Sequence, residues 1–90
     1  MVHIVYSEGV EQYLDTLDKK IRERIVRKLD FFITTPNPLR FAKKLTDSSI
    51  GQYRFRVGDY RILFDCNKNN GITILFILKI GHRKDIYTRI

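Results

Sequence analysis

The stretch covering residues 52–66 leaves this chain few choices of fold. Residues 52–57 alternate strictly, with Tyr53, Phe55 and Val57 on one side and Gln52, Arg54 and Arg56 on the other. This is the period of a half-buried strand. Gly58-Asp59 follows, and residues 60–66 supply a partner strand in which Ile62, Phe64 and Cys66 share a side. Glycine at the first loop position provides the positive φ of a type II′ turn, so the turn sets the register. Val57 opposes Tyr60, Arg56 opposes Arg61 and Phe55 opposes Ile62. A one-residue slip would carry the whole apolar set into water, so the register is strongly specified. The rest of the chain must supply a layer that covers Tyr53, Phe55 and Val57.

Two amphipathic segments can do so. After a short β-branched run at residues 2–6, Ser7 stands as an N-cap with Glu8 and Glu11 in the first turn, where the helix dipole favours acids. Val10, Tyr13, Leu14 and Leu17 then follow the spacing of one helical face. A second helix is predicted from Asp18, with Ile21, Ile25, Leu29, Phe32 and Ile33 inward and Lys19, Lys20, Glu23, Arg27 and Asp30 in water. Pro36 and Pro38 stop it. Residues 39–45 read equally as a short helical turn or a docked loop, and residues 46–51 as a polar connection. Beyond the hairpin, residues 67–71 read as a turn. Residues 72–80, apolar on both sides, read as a central strand. The order strand–helix–helix–three strands predicts an α+β domain spanning 1–90, a mostly antiparallel sheet with an antiparallel helix pair on one face.

Charge narrows the function. Residues 1–38 hold six basic and six acidic side chains, whereas residues 39–90 hold eleven and four. The net charge of +7 therefore arises wholly in the second half, which suits a phosphate polymer or an acidic protein partner. One cysteine, Cys66, and two histidines argue against a disulfide framework or a zinc site, so no cofactor is expected. The longest apolar run, residues 74–78, is too short for a membrane span, and the start shows no signal-peptide pattern; a reducing cytoplasm is the expected compartment.

Two constellations can carry chemistry. In the hairpin register Arg56 and Arg61 are cross-strand neighbours, roughly 4.5–5.5 Å apart at Cβ, with Arg54 diagonal to Arg61. Like charges so placed destabilise a sheet unless an anion joins them, and guanidinium forks match phosphate oxygens bidentately. The alternative is a solvated face whose arginines splay apart. The second constellation is Gly81-His82-Arg83-Lys84-Asp85-Ile86-Tyr87. Arg83 can stabilise charge on a pentacovalent phosphorane, and His82 or Tyr87 can move a proton or stack on a base. From spacing alone, a polar edge with Tyr87 packed over Ile86 is the simpler reading. Cys66 reads as a small core residue, and Asp59 as a turn residue with a local backbone role.

The strings Tyr53-Arg-Phe-Arg-Val-Gly-Asp-Tyr-Arg61 and Ile80-Gly-His-Arg-Lys-Asp-Ile-Tyr87 together resemble the RelE/ParE toxin superfamily, and the resemblance spans nearly the whole chain. It implies a small antiparallel sheet flanked by helices. Its RelE branch implies ribosome-dependent cleavage of mRNA in the A site by attack of a ribose 2′-hydroxyl on the adjacent phosphate, without metal. By position, Arg54 and Arg56 would orient the phosphate and Arg61 would stabilise the transition state. Arg83 would assist the leaving group, and Tyr87 would orient or stack on a nucleotide. Arg40, Lys43, Lys44, Lys79 and Lys84 would add RNA and ribosome contacts. Some relatives carry lysine where this chain has Arg54 and Arg56. Arginine is not deprotonated near neutrality, so His82 is the substitute proton carrier. The resemblance also implies an antitoxin partner with an acidic, partly helical segment. Two alternatives stay open. One is a ParE-type inhibitor of DNA gyrase acting through protein contacts, and the other is a basic RNA-binding module without chemistry.

Overall fold

The computed structural model describes residues 1–87. Five strands, β1 (Val2–Tyr6), β2 (Lys43–Lys44), β3 (Tyr53–Val57), β4 (Tyr60–Asn69) and β5 (Ile72–His82), form one sheet in the order β1-β5-β4-β3-β2. Helices α1 (Glu8–Thr16) and α2 (Lys19–Thr34) lie on one face, and a 3₁₀ turn, Pro38–Phe41, follows α2. The predicted α+β fold is the one observed. Pairing is antiparallel except between β1 and β5, which run parallel with Ile4 opposite Leu75. Among the described residues, no helix is long and apolar enough to cross a membrane.

The helices form where their caps and stripes require. The Ser7 hydroxyl accepts from the Val10 N–H, satisfying one donor of the first turn of α1. Val10 and Leu14 of α1 and Ile25, Leu29 and Phe32 of α2 are buried against Phe55, Val57, Ile62, Phe64, Leu75, Ile77 and Ile80. Phe41, Phe32, Phe55 and Phe64 stack in sequence with centroids 5.0, 4.5 and 4.3 Å apart, and Tyr53 extends the stack at 5.6 Å. Each buried ring contributes about 1.5–3 kcal/mol relative to exposure, and the stack aligns α2 over the hairpin.

The hairpin register is the predicted one, Val57 to Tyr60, Arg56 to Arg61 and Phe55 to Ile62, with Gly58 at φ +59°. Other expectations are corrected. Residues 39–45 hold both the 3₁₀ turn and the two-residue edge strand β2. The second turn is shorter than residues 67–71, because β4 runs to Asn69 and only Asn70 and Gly71, both at positive φ, reverse the chain. β5 is an interior strand whose inner side is covered by the helices and whose outer side is covered only where residues 83–87 return over it. Phe76 and Leu78 are exposed on the side away from the helices.

The candidate phosphate-binding face

The face of the sheet opposite the helices carries the arginines. In β3, Phe55 and Val57 turn inward, so Arg54 and Arg56 turn outward. Across the hairpin, Arg61 stands opposite Arg56 and shares its side. Lys43 of β2 stands opposite Arg54 and adds a fourth cation. Among the described residues, none of these four has an acidic partner within ion-pair distance.

Arg61 is the most constrained of them, with 9% of its surface exposed. Its Nη1 donates to the Gly58 carbonyl at 3.0 Å and the Tyr60 carbonyl at 3.2 Å, which fixes the guanidinium against its own hairpin. Burial pushes its pKa down, the nearby Arg56, Arg54 and Arg83 push it further, and Tyr87 offsets part of that. Arg56 stands directly opposite Arg61 and Arg54 diagonal to it, and Arg83 and Tyr87 lie within electrostatic reach. Five of the six candidate catalytic residues are therefore brought together.

A β-bulge decides the rest. Phe64 pairs with Ile77 and Leu63 with Lys79, so Leu78 is an extra residue that reverses the inside–outside alternation beyond it. Lys79 consequently emerges on the arginine face. His82, opposite Tyr60, falls on the helix side, where its ring meets the Tyr60 ring edge-on at 5.5 Å and its Nδ1 accepts from the Lys84 N–H. The structure does not place His82 among the arginines.

Residues 83–87 fold back over the sheet. The Asp85 and Ile86 N–H groups both donate to the His82 carbonyl, and Ile86 is buried over Gly81. A Cβ on Gly81 would lie 2.9 Å from Ile86 Cδ1, so this glycine serves close approach. The Lys79 ammonium donates to the Ile86 carbonyl at 3.2 Å. Asp59 does more than shape the hairpin turn. Its carbonyl accepts from the Arg83 N–H at 2.7 Å and its carboxylate lies 3.5 Å from Arg83 Nε, tying the segment to the hairpin tip.

A groove of about 960 Å³ runs over this face. Lys43, Lys44, Arg54, Lys79 and Tyr87 stand on its walls, with buried Leu63 and Ile86 among its apolar lining. Tyr87 is 46% exposed, free to meet a planar ligand. Arg56, Arg61 and Arg83 lie beside the groove toward the hairpin tip and do not line it, nor do Arg40 and Lys84; Arg40 sits on the 3₁₀ turn whose Phe41 packs on Phe32. Sequence reasoning missed the apolar lining from Leu63, because an alternating strand offers no sign that its outward leucine will be covered by a returning segment. Among the described residues, no group of three or more His, Cys, Asp and Glu is placed to hold a metal.

Comparison with known proteins bears on the fold and the family. No curated protein matches the sequence. The chain covers 90% of itself and 96% of the matched chain in the RelBE2 toxin-antitoxin complex from Mycobacterium tuberculosis, at 24% identity and a TM-score of 0.68. A RelE-RelB complex from Pyrococcus horikoshii matches at 26% identity and a TM-score of 0.63, covering 93% of this chain and 94% of that one. The RelB-RelE antitoxin-toxin complex from Methanococcus jannaschii matches at 25% and 0.62, covering 92% and 94%. A sequence model of the ParE toxin of the type II toxin-antitoxin system parDE matches residues 4–87. The chain thus belongs to the ParE toxin family of type II toxin-antitoxin systems, within the RelE/ParE superfamily.

Proposed function

We propose that this toxin is a ribosome-dependent endoribonuclease of the RelE type, cutting mRNA in the A site. The observation that carries the reading is Arg61, held rigid by two backbone carbonyls, with Arg54, Arg56, Arg83 and Tyr87 around it. Arg83 is paired with Asp59, but Arg54, Arg56 and Arg61 have no acidic partner among the described residues; such a face gains from a bound phosphate, and gains more as that phosphate acquires charge in a phosphorane. Preorganised cations of this kind lower a barrier because they need not reorganise during the reaction.

In the reaction, the ribose 2′-oxygen attacks the adjacent phosphorus and loses its proton to water, which in turn supplies the proton taken up by the leaving oxygen. The bond to the 5′-oxygen breaks, and that oxygen gains a proton, leaving a 2′,3′-cyclic phosphate and a 5′-hydroxyl. Arg54 and Arg56 hold the nonbridging oxygens, Arg61 neutralises the charge that builds on them, and Arg83 faces the leaving oxygen. Tyr87 stacks on a base. With His82 turned to the helix side, charge stabilisation carries the step and an imidazole proton shuttle does not. Lys43, Lys44 and Lys79 along the groove attract the RNA backbone.

The partner in the resting state is an antitoxin whose acidic segment covers this face. The three structural neighbours, each a toxin-antitoxin complex, support that pairing. A second reading, inhibition of DNA gyrase through protein contacts, is favoured by the ParE family match. Parallel assays separate the two. Purified protein added to a translation reaction is expected to cut the message, and the same protein is expected to leave gyrase supercoiling intact. Arrested supercoiling with intact mRNA would reverse the assignment.

A further inference from the structure

A second cationic surface lies on the helix layer, apart from the groove. Lys20, Arg24, Arg27 and Lys28 of α2 are all exposed, as is Phe31. At about 100° per residue these five fall within an arc of about 100° on the helix. Together with Glu23 they line a shallow depression of about 390 Å³.

The charges on this arc are not balanced in the way a merely solvated helix balances them. Ordinary helix surfaces place acids four residues from bases. In α2 that spacing occurs twice, at Lys19–Glu23 and at Glu23–Arg27, and the one acid they share pairs with Lys19, 3.9 Å away and outside the arc. Within the arc the four-residue neighbours are Lys20 with Arg24 and Arg24 with Lys28, both like-charged. Among the described residues none of the four basic side chains has an ion-pair partner. The helix also lacks a side-chain cap at Asp18 and acids in its first turn, so its surface is not arranged for helix stability alone.

Two exposed rings close the arc. Phe31 is 51% and Phe41 40% exposed, with centroids 5.8 Å apart, and Lys28 Nζ lies 5.6 Å from the Phe31 centroid. At the other side, the Arg24 guanidinium lies against Gly58, since a Cβ there would be 2.8 Å from Nη1. Gly58 is the turn between Arg56 and Arg61. The hairpin tip therefore joins the α2 arc to the arginine face.

We propose that the outward face of α2 is a second RNA-binding surface, in which Lys20, Arg24, Arg27 and Lys28 hold backbone phosphates and Phe31 stacks on an unpaired base. Its target as ribosomal RNA rests on the ribosome reading above; its affinity for RNA phosphate does not. Cations spaced along one helix face with an aromatic at the end form an electrostatic track with a stacking platform. The groove engages the scissile strand while α2 grips structured RNA around it, giving a two-sided hold suited to a crowded RNA site.

The test is a variant carrying Lys20→Gln, Arg24→Gln, Arg27→Gln and Lys28→Gln, compared with wild type for binding to purified ribosomes and to a short RNA duplex across a salt series. All four positions are exposed, and matched circular dichroism and melting temperature establish that the variant is folded. For four lost phosphate contacts, the slope of log Kd against log salt is expected to flatten by about 3, with affinity falling more than about tenfold. Phe31→Ala is expected to weaken ribosome binding by about tenfold and leave the salt slope in place. Cleavage by the quadruple variant at saturating protein is expected to match wild type, so that KM moves and kcat does not. Unchanged affinity and slope on both RNAs would overturn the proposal. So would a variant that keeps its RNA affinity but no longer co-purifies with the antitoxin, which would make the α2 face a protein interface. If wild type fails to cut mRNA while its RNA binding still depends on α2, the cleavage reading fails and this one stands.

Discussion

The two faces of the sheet obey opposite rules. The inner face is closed: Phe41, Phe32, Phe55, Phe64 and Tyr53 stack on one another, and helix side chains fill the space around them. The outer face is covered only in part, by residues 83–87, and holds Arg54, Arg56 and the largely buried Arg61 side by side without an acidic partner among the described residues. Both faces are carried by the same strands: β3 alternates between inward Phe55 and Val57, which stabilise the fold, and outward Arg54 and Arg56, which repel. Stability is concentrated on one side so that repulsion can be tolerated on the other.

The comparison breaks most sharply at the centre of the inner face. Phe55→Ala removes a ring that is fully buried between two others, and a loss of about 3–5 kcal/mol is expected in urea denaturation. Arg61→Met tests the outer face with the opposite signature. Cleavage is expected to fall about 10²–10³-fold. Stability is expected to stay within about 1 kcal/mol of wild type, because relief of repulsion offsets the two lost backbone hydrogen bonds.

Gly81→Val probes the joint between the faces. Its side chain would enter the space of Ile86, and a cost of about 1–3 kcal/mol is expected in thermal melts, with Tyr87 displaced and cleavage reduced. The smallest effect is a gain. Arg56→Gln removes one member of the facing arginine pair and is expected to stabilise the fold by about 0.2–1 kcal/mol. Sulfate is expected to raise the melting temperature of wild type more than that of this variant, since a bound anion relieves the same repulsion. His82→Ala is expected to leave the cleavage rate unchanged across neutral pH; a fall confined to the acidic or alkaline limb would return the imidazole to the mechanism.

The hairpin was legible because its pattern has period 2 and its turn contains a glycine that permits one register. The helix pair was legible from the stripe of Ile21, Ile25, Leu29 and Phe32. The position of His82 was not, because a single extra residue at Leu78 inverts every side chain beyond it and leaves no mark on an all-apolar run. Edge strand β2 is two lysines long and has no period to detect. The tie between Asp59 and Arg83 joins segments far apart in sequence, so neither residue alone announces it. Arg54, Arg56 and Arg61 meet because local strand geometry aims them, and Arg83 and Tyr87 join them through the segment that folds back over the sheet. The sixth, His82, was assigned as a proton carrier in place of lysines that this chain lacks, and the bulge turns it to the other face.

The most direct measurement maps cleavage on ribosomes programmed with a defined mRNA and an empty A site, comparing wild type with Arg61→Met and with naked mRNA. A RelE-type nuclease leaves cuts within the A-site codon, with 5′-hydroxyl ends, that depend on the ribosome and disappear in the Arg61→Met lane. Intact mRNA in every lane, from protein shown to be folded, would contradict cleavage by the arginine face and leave it as a surface for protein contacts.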